Sequence, residues 1–104
     1  MNKQVLAAAN FFLRKAYANP DFAGLPTEIR KEVKRLAILT AEKSRGLFAL
    51  GFYPDGRLFF ELTQDESGEA SPAAVISAFQ EENRELLNRL QLWYQAVYLG
   101  KGMA

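Results

Sequence analysis

The sequence predicts an α+β domain: two N-terminal helices, one antiparallel β-hairpin and one long C-terminal helix. Three observations predict it. Apolar residues recur at spacings of three and four over residues 2–18 and 26–45, two aromatic-rich runs flank Pro54-Asp55-Gly56, and a further helical run opens at Ser71-Pro72.

Residues 2–18 carry Val5, Leu6, Ala9, Phe12, Leu13, Ala16 and Tyr17 at helical spacing, which predicts a first helix with one apolar face. The following Asn19-Pro20-Asp21-Phe22-Ala23-Gly24-Leu25-Pro26 cannot stay helical through its prolines, so it reads as a connector pinned by Phe22 and Leu25. Pro26 suits the first position of a second helix, and Glu28 complements the positive end of its dipole. Ile29, Val33, Leu36, Ala37 and Thr40 form its inner face. Lys43 and Arg45 fall in its last turn, with Gly46 as the left-handed cap.

Residues 47–53 and 57–64 are strands joined by Pro54-Asp55-Gly56, a type I turn closed by a glycine in the left-handed region. If Tyr53 pairs with Arg57, the ladder continues as Phe52 with Leu58, Gly51 with Phe59, Leu50 with Phe60, Ala49 with Glu61, Phe48 with Leu62 and Leu47 with Thr63. One face is then Phe48, Leu50, Phe52, Leu58, Phe60 and Leu62, wholly apolar. It has to meet the helices, because a lone two-stranded ribbon is barely stable in water. Glu61 points to the other, wetter face.

After an acidic loop, Ser71 caps a helix opened by Pro72 that runs to Leu99, where Gly100 and Gly102 end it. The unbroken polar run over residues 80–85 leaves no apolar stripe, so the helix is solvated all round there or bends. Beyond it Leu86, Leu87, Leu90, Trp93, Tyr94, Val97 and Tyr98 spread over a wider arc than one neighbour needs. Ile76, Phe79, Asn83, Leu86, Leu90, Trp93 and Val97 also follow a heptad, with Asn83 in the kind of position that fixes partner number in coiled coils.

A chain of 104 residues fits one domain and buries about 60 to 70% of its unfolded surface. Apolar residues at 49% and charged residues at 24% exclude disorder beyond the ends. The absence of cysteine removes disulfides and thiolate metal sites, and the absence of histidine removes the usual general base and the commonest metal ligand. No stretch approaches the ~18 to 20 apolar residues of a membrane helix, and Arg14 and Lys15 interrupt any signal peptide, so no membrane partner is expected and the expected location is the cytoplasm. Residues 1–52 carry a net charge of +5 (nine Lys/Arg, four Asp/Glu) and residues 53–104 carry −4 (four against eight), so the halves attract one another within or between chains.

No catalytic constellation is visible. Ser44, Ser67, Ser71 and Ser77 have no base beside them and no nucleophile-elbow motif. Asp65, Glu66 and Glu69 do not match the calcium-loop spacing, and no glycine-rich phosphate loop exists. No cofactor is implied, and the reading leans against an enzyme. Arg30, Lys31, Lys34 and Arg35 form a basic cluster on the second helix that Lys3, Arg14 and Lys15 could extend. The pI of about 8.0 is below that of most nucleic-acid binders, which disfavours a nucleic-acid partner.

The connector at residues 19–29, with its Phe-Ala-Gly-Leu-Pro core, and the aromatic helix end Leu90-Gln91-Leu92-Trp93-Tyr94-Gln95-Ala96-Val97-Tyr98-Leu99-Gly100 resemble a family of short uncharacterised Gram-positive bacterial proteins, a domain of unknown function. The resemblance implies a free-standing cytosolic protein and brings no catalytic residue. The function itself is therefore unknown from the sequence. The reading favoured is a noncatalytic protein-interaction module, homodimeric through a C-terminal helix that presents Leu87, Trp93, Tyr94 and Tyr98, with an unknown protein partner as a further possibility. Its rivals are a small-molecule binder or unrecognised enzyme with a pocket lined by Phe48, Phe52, Phe60 and Trp93, and a nucleic-acid adaptor using the basic cluster.

Overall fold

In the computed structural model, which describes residues 3–64 and 71–97, the first segment is a β-hairpin and not a helix. β1 (Gln4–Asn10) pairs antiparallel with β2 (Lys15–Ala18), Ala8 opposite Tyr17 and Asn10 opposite Lys15. This corrects the expectation of two N-terminal helices. The physical reason is the company β1 keeps. Alanine favours helix locally and is poor in strands, but β1 lies between two strands and under a helix, where short side chains let neighbours approach. Ala7 and Ala9 are buried in the core, and the helix above them is lined by the equally small Ala37 and Ala41. The turn signal is Asn10, whose Oδ1 accepts from Leu13 N–H at 3.1 Å, and Arg14 adopts a left-handed φ of 50°.

Pro20–Phe22 forms one 3-10 turn, and Asn19 fastens it to the sheet. The Asn19 side-chain amide donates to the Val5 carbonyl at 2.7 Å, and its backbone N–H donates to Leu6 at 2.9 Å. These bonds satisfy a bulge in β1, where Leu6 is the extra residue and turns into the core. Phe22 and Leu25 are buried, as the connector reading expects.

α1 (Thr27–Ser44) follows, and Pro26 stands at its cap instead of inside its first turn. At its other end Arg45, with φ 52° and ψ 54°, takes the left-handed position expected of Gly46, and Gly46 opens the next strand. β3 (Gly46–Phe52) and β4 (Leu58–Gln64) form the predicted hairpin with every predicted pair in register. Tyr53 N–H donates to Arg57 O at 2.8 Å, and Gly56 has φ 94°. The whole sheet has the order β2-β1-β3-β4 and is antiparallel throughout, so the expected single hairpin is half of it.

The long C-terminal helix is two. α2 (Pro72–Glu82), capped by Ser71 Oγ accepting from Ala74 N–H at 3.2 Å, ends at Asn83, and α3 (Arg84–Val97) begins directly after it. Asn83 leaves helical geometry with φ −121° and holds the bend by donating from Nδ2 to Phe79 O at 2.9 Å. The polar run thus resolves as a bend, and Asn83 serves as its hinge. Among the described residues the core lies between one face of the sheet and the helices. Phe48 meets Phe79 of α2 at 4.9 Å between ring centroids, and Phe52 stacks on Tyr94 of α3 at 4.5 Å and 23°. Burying each such ring contributes about 1.5 to 3 kcal/mol.

Candidate interaction surfaces

The aromatic arc of α3 faces inward. Leu87 and Tyr94 are only 6% and 7% exposed, and Trp93 is half-buried with its ring 6.1 Å from Phe22. Tyr98 lies outside the described residues. Much of the apolar area after Leu86 is covered by the chain itself, because Phe22 of the connector and Phe52 of the hairpin, in contact with each other at 5.4 Å, meet Trp93 and Tyr94 respectively. What α3 leaves outside is Leu92 and Val97.

Two of the residues expected to line a ligand pocket are core, and Phe60 and Trp93 are half-buried. Phe48 and Phe52 are fully buried, and Phe60 packs edge-on against Phe79. On α1 the basic cluster is broken up. Arg35 pairs with Glu32, and Arg30 is half-buried with an Nε that finds no hydrogen-bond partner, leaving Lys31 and Lys34 in solvent. The hydroxyls serve structure: Ser44 donates to Thr40 O at 2.7 Å and Thr40 to Leu36 O at 2.8 Å. Asp65, Glu66, Ser67 and Glu69 lie outside the described residues, and among those described no group of three acidic side chains could hold a metal.

The sheet has a second face, and no described helix packs on it. Its pairs are Tyr17, Ala8, Ala49 and Glu61 in one row and Lys15, Asn10, Leu47 and Thr63 in the next. Phe59 lies on this face yet is only 3% exposed, because Gly51 beside it has no side chain and the ring folds over the gap. Lys3 Nζ sits 4.8 Å above that ring and 3.0 Å from Glu61 Oε1, while Tyr53 tilts against the ring at 5.7 Å. This end of the face is closed by its own side chains. Tyr17 and Leu47 remain exposed at the other.

The two sheet edges differ. β2 is four residues long and carries Lys15, a short charged edge of the kind that resists further pairing. β4 is seven residues long without proline, lysine or bulge. Because Tyr53 and Arg57 form a hydrogen-bonded pair, the alternation of the antiparallel ladder turns the N–H and C=O groups of Leu58, Phe60 and Leu62 away from β3. No described group pairs with them. The helices leave this edge open: a groove of about 390 Å³ separates Leu58 and Phe60 from Ser77, Gln80, Arg84, Asn88 and Gln91.

Sequence reading missed the open β4 edge because an edge exists only once strand order is known. No described helix is long and apolar enough to cross a membrane. No curated protein and no solved structure matches this chain significantly. A family model does match, over residues 3–102, so the chain belongs to DUF6145, a family of unknown function.

Proposed function

We propose that the protein is a noncatalytic protein-interaction module that forms a homodimer by pairing β4 with β4 of a second copy. The carrying observation is the unprotected β4 edge. Leu58, Phe60 and Leu62 present outward amides and carbonyls that no described group pairs with, on a strand without proline, lysine or bulge. Glu61, the one charge on the strand, is turned to the outer face and neutralised by Lys3, so antiparallel pairing about a twofold axis meets little repulsion. Identical chains meet through the same patch, and each contributes main-chain hydrogen bonds that the monomer leaves to water.

Sedimentation equilibrium at micromolar concentration tests the reading, with Leu62→Pro compared against Leu62→Ala. The Leu62 N–H points outward, so proline is tolerated in the monomer's edge but removes a donor from the interface. The expected result is a dimeric wild type, a dimeric alanine variant and a folded monomeric proline variant. A monomeric wild type whose Leu58, Phe60 and Leu62 amides exchange rapidly with solvent contradicts it.

A further inference from the structure

The tip between β1 and β2 has a composition that turn geometry does not ask for. Arg14 N–H donates to Phe11 O at 3.3 Å, which makes residues 11–14 a turn with Phe12 and Leu13 at its two central positions. Such positions ordinarily carry Gly, Asn, Asp, Pro or Ser, and the other hairpin obeys with Pro54-Asp55-Gly56. Here they carry large apolar side chains that are 60% and 64% exposed, the first steadied edge-on by the Phe11 ring at 5.6 Å.

Cations lie next to this apex in the chain and at the end of α1 to which it is tied. Arg14 and Lys15 follow it in the chain, and Phe11 N–H donates to Gly46 O at 2.9 Å, which ties the tip to the end of α1 where Lys43 and Arg45 lie. All four are exposed, and none makes an ion pair with another described residue. Lys3, Arg35, Arg57 and Arg84 each have a carboxylate partner, whereas Lys31 and Lys34 on α1 are also without an ion pair among the described residues but have no exposed apolar pair like Phe12 and Leu13 in a turn beside them. Glu42 is the one acidic residue lining the groove between tip and helix.

We propose that this tip docks on an anionic membrane surface, Phe12 and Leu13 entering the lipid interface while Arg14, Lys15, Lys43 and Arg45 meet acidic headgroups. The two chemistries belong together there: acyl chains take the apolar apex, and the negative surface potential draws in the cations around it. Nucleic acid would use the cations but gives Leu13 nothing to pack on. A second copy of the tip would set four cations against four. Contact of this kind needs no spanning helix.

The test is flotation of the full chain with phosphatidylcholine vesicles, with and without phosphatidylglycerol, so that the charge of Asp65, Glu66 and Glu69 is included. Binding is expected only when phosphatidylglycerol is present, and it should fall with added salt. Phe12→Ser with Leu13→Ser, and separately Arg14→Gln with Lys15→Gln, should each weaken it at least about tenfold. The serine pair should unfold at the wild-type midpoint, since both side chains are solvent-exposed, and the glutamine pair provides a second route should it not. Four results overturn the proposal: a wild type that ignores phosphatidylglycerol vesicles, equal binding to neutral ones, undiminished binding by both paired variants, or a dimer that the serine pair turns into a monomer. Binding to a short DNA duplex as tight as to vesicles and indifferent to Phe12 and Leu13 would also overturn it, assigning the cations to nucleic acid.

Discussion

Asp55 shows how much one side chain can organise. Its Oδ1 accepts the Arg57 N–H at 3.0 Å, and its Oδ2 accepts from Arg57 Nε at 2.7 Å. The first of these, followed by the guanidinium, holds the Asp55 carboxyl below the ordinary aspartate value. A folded pKa below the unfolded one means that the contact stabilises the turn fully above the ordinary aspartate pKa and is lost as pH falls through the lowered value. An NMR titration of this carboxyl should give a midpoint below that of an unstructured peptide, and equal midpoints would contradict the geometry. Next to it, Gly56 has φ 94° and lies where a Cβ would come within 3.1 Å of Gln95 Cγ. Gly56→Val should therefore cost more than about 1 kcal/mol in denaturant titration. The role of Gly56 follows from the spacing of two strand patterns around three turn residues. Nothing in the sequence marks Arg14 or Arg45 as left-handed, because neither is a residue type that favours that region.

Among the elements, α3 departs furthest from what its sequence invites. An apolar arc that wide on an isolated helix reads as an interface, yet here it is shared between the sheet and the connector. Two substitutions separate the two situations. Tyr94→Lys places an ammonium among Phe52 and Leu90 and should cost about 3 to 5 kcal/mol, as uncompensated buried charges do. Leu92→Lys, at a position two-thirds exposed, should stay within about 0.5 kcal/mol of wild type. Similar small losses for both would mean that α3 does not pack as described. The bend at Asn83 lets Leu87, Leu90 and Tyr94 of α3 reach the core while Phe79 of α2 packs on the inner face of the hairpin against Phe48 and Phe60.

For the molecule as a whole, the sheet has one face sealed by helices, one face partly closed by Lys3, Tyr53 and Phe59, and two unlike edges. The β4 edge and the β1–β2 tip offer different partners different chemistry, unpaired main-chain groups in one case and apolar and cationic side chains in the other. If β4 pairs with a second copy, folding and association are linked, and the thermal midpoint must rise with protein concentration. A midpoint independent of concentration over two decades, in a sample shown to be micromolar and fully folded, would mean that the edge stays unpaired. The charge asymmetry between the chain's halves does not decide this, since Lys3 already joins Glu61 across β1, β3 and β4 within one chain.

Although it read the C-terminal helix as one and left its polar run as either solvated or bent, the sequence by itself determined the register of the β3–β4 hairpin, the buried connector, the existence of α1 and the Ser71 cap. Each is written in local chemistry: alternation, turn residues, helix period and capping groups within a few positions of one another. Only the tertiary structure decided the first segment. In residues 4–18 the spacing of Val5, Leu6, Ala9, Phe12 and Leu13 fits a helix, and alanine adds its helical preference, but the free energy of joining β1 to β3 under α1 exceeds that local bias. The inward turn of Trp93 and Tyr94 is set by Phe22 and Phe52, whereas the strand order and the bulge at Leu6 follow from that one choice. So does the position of the candidate surfaces, because an edge or an exposed turn is a property of what lies beside it and has no signature in the residues that form it.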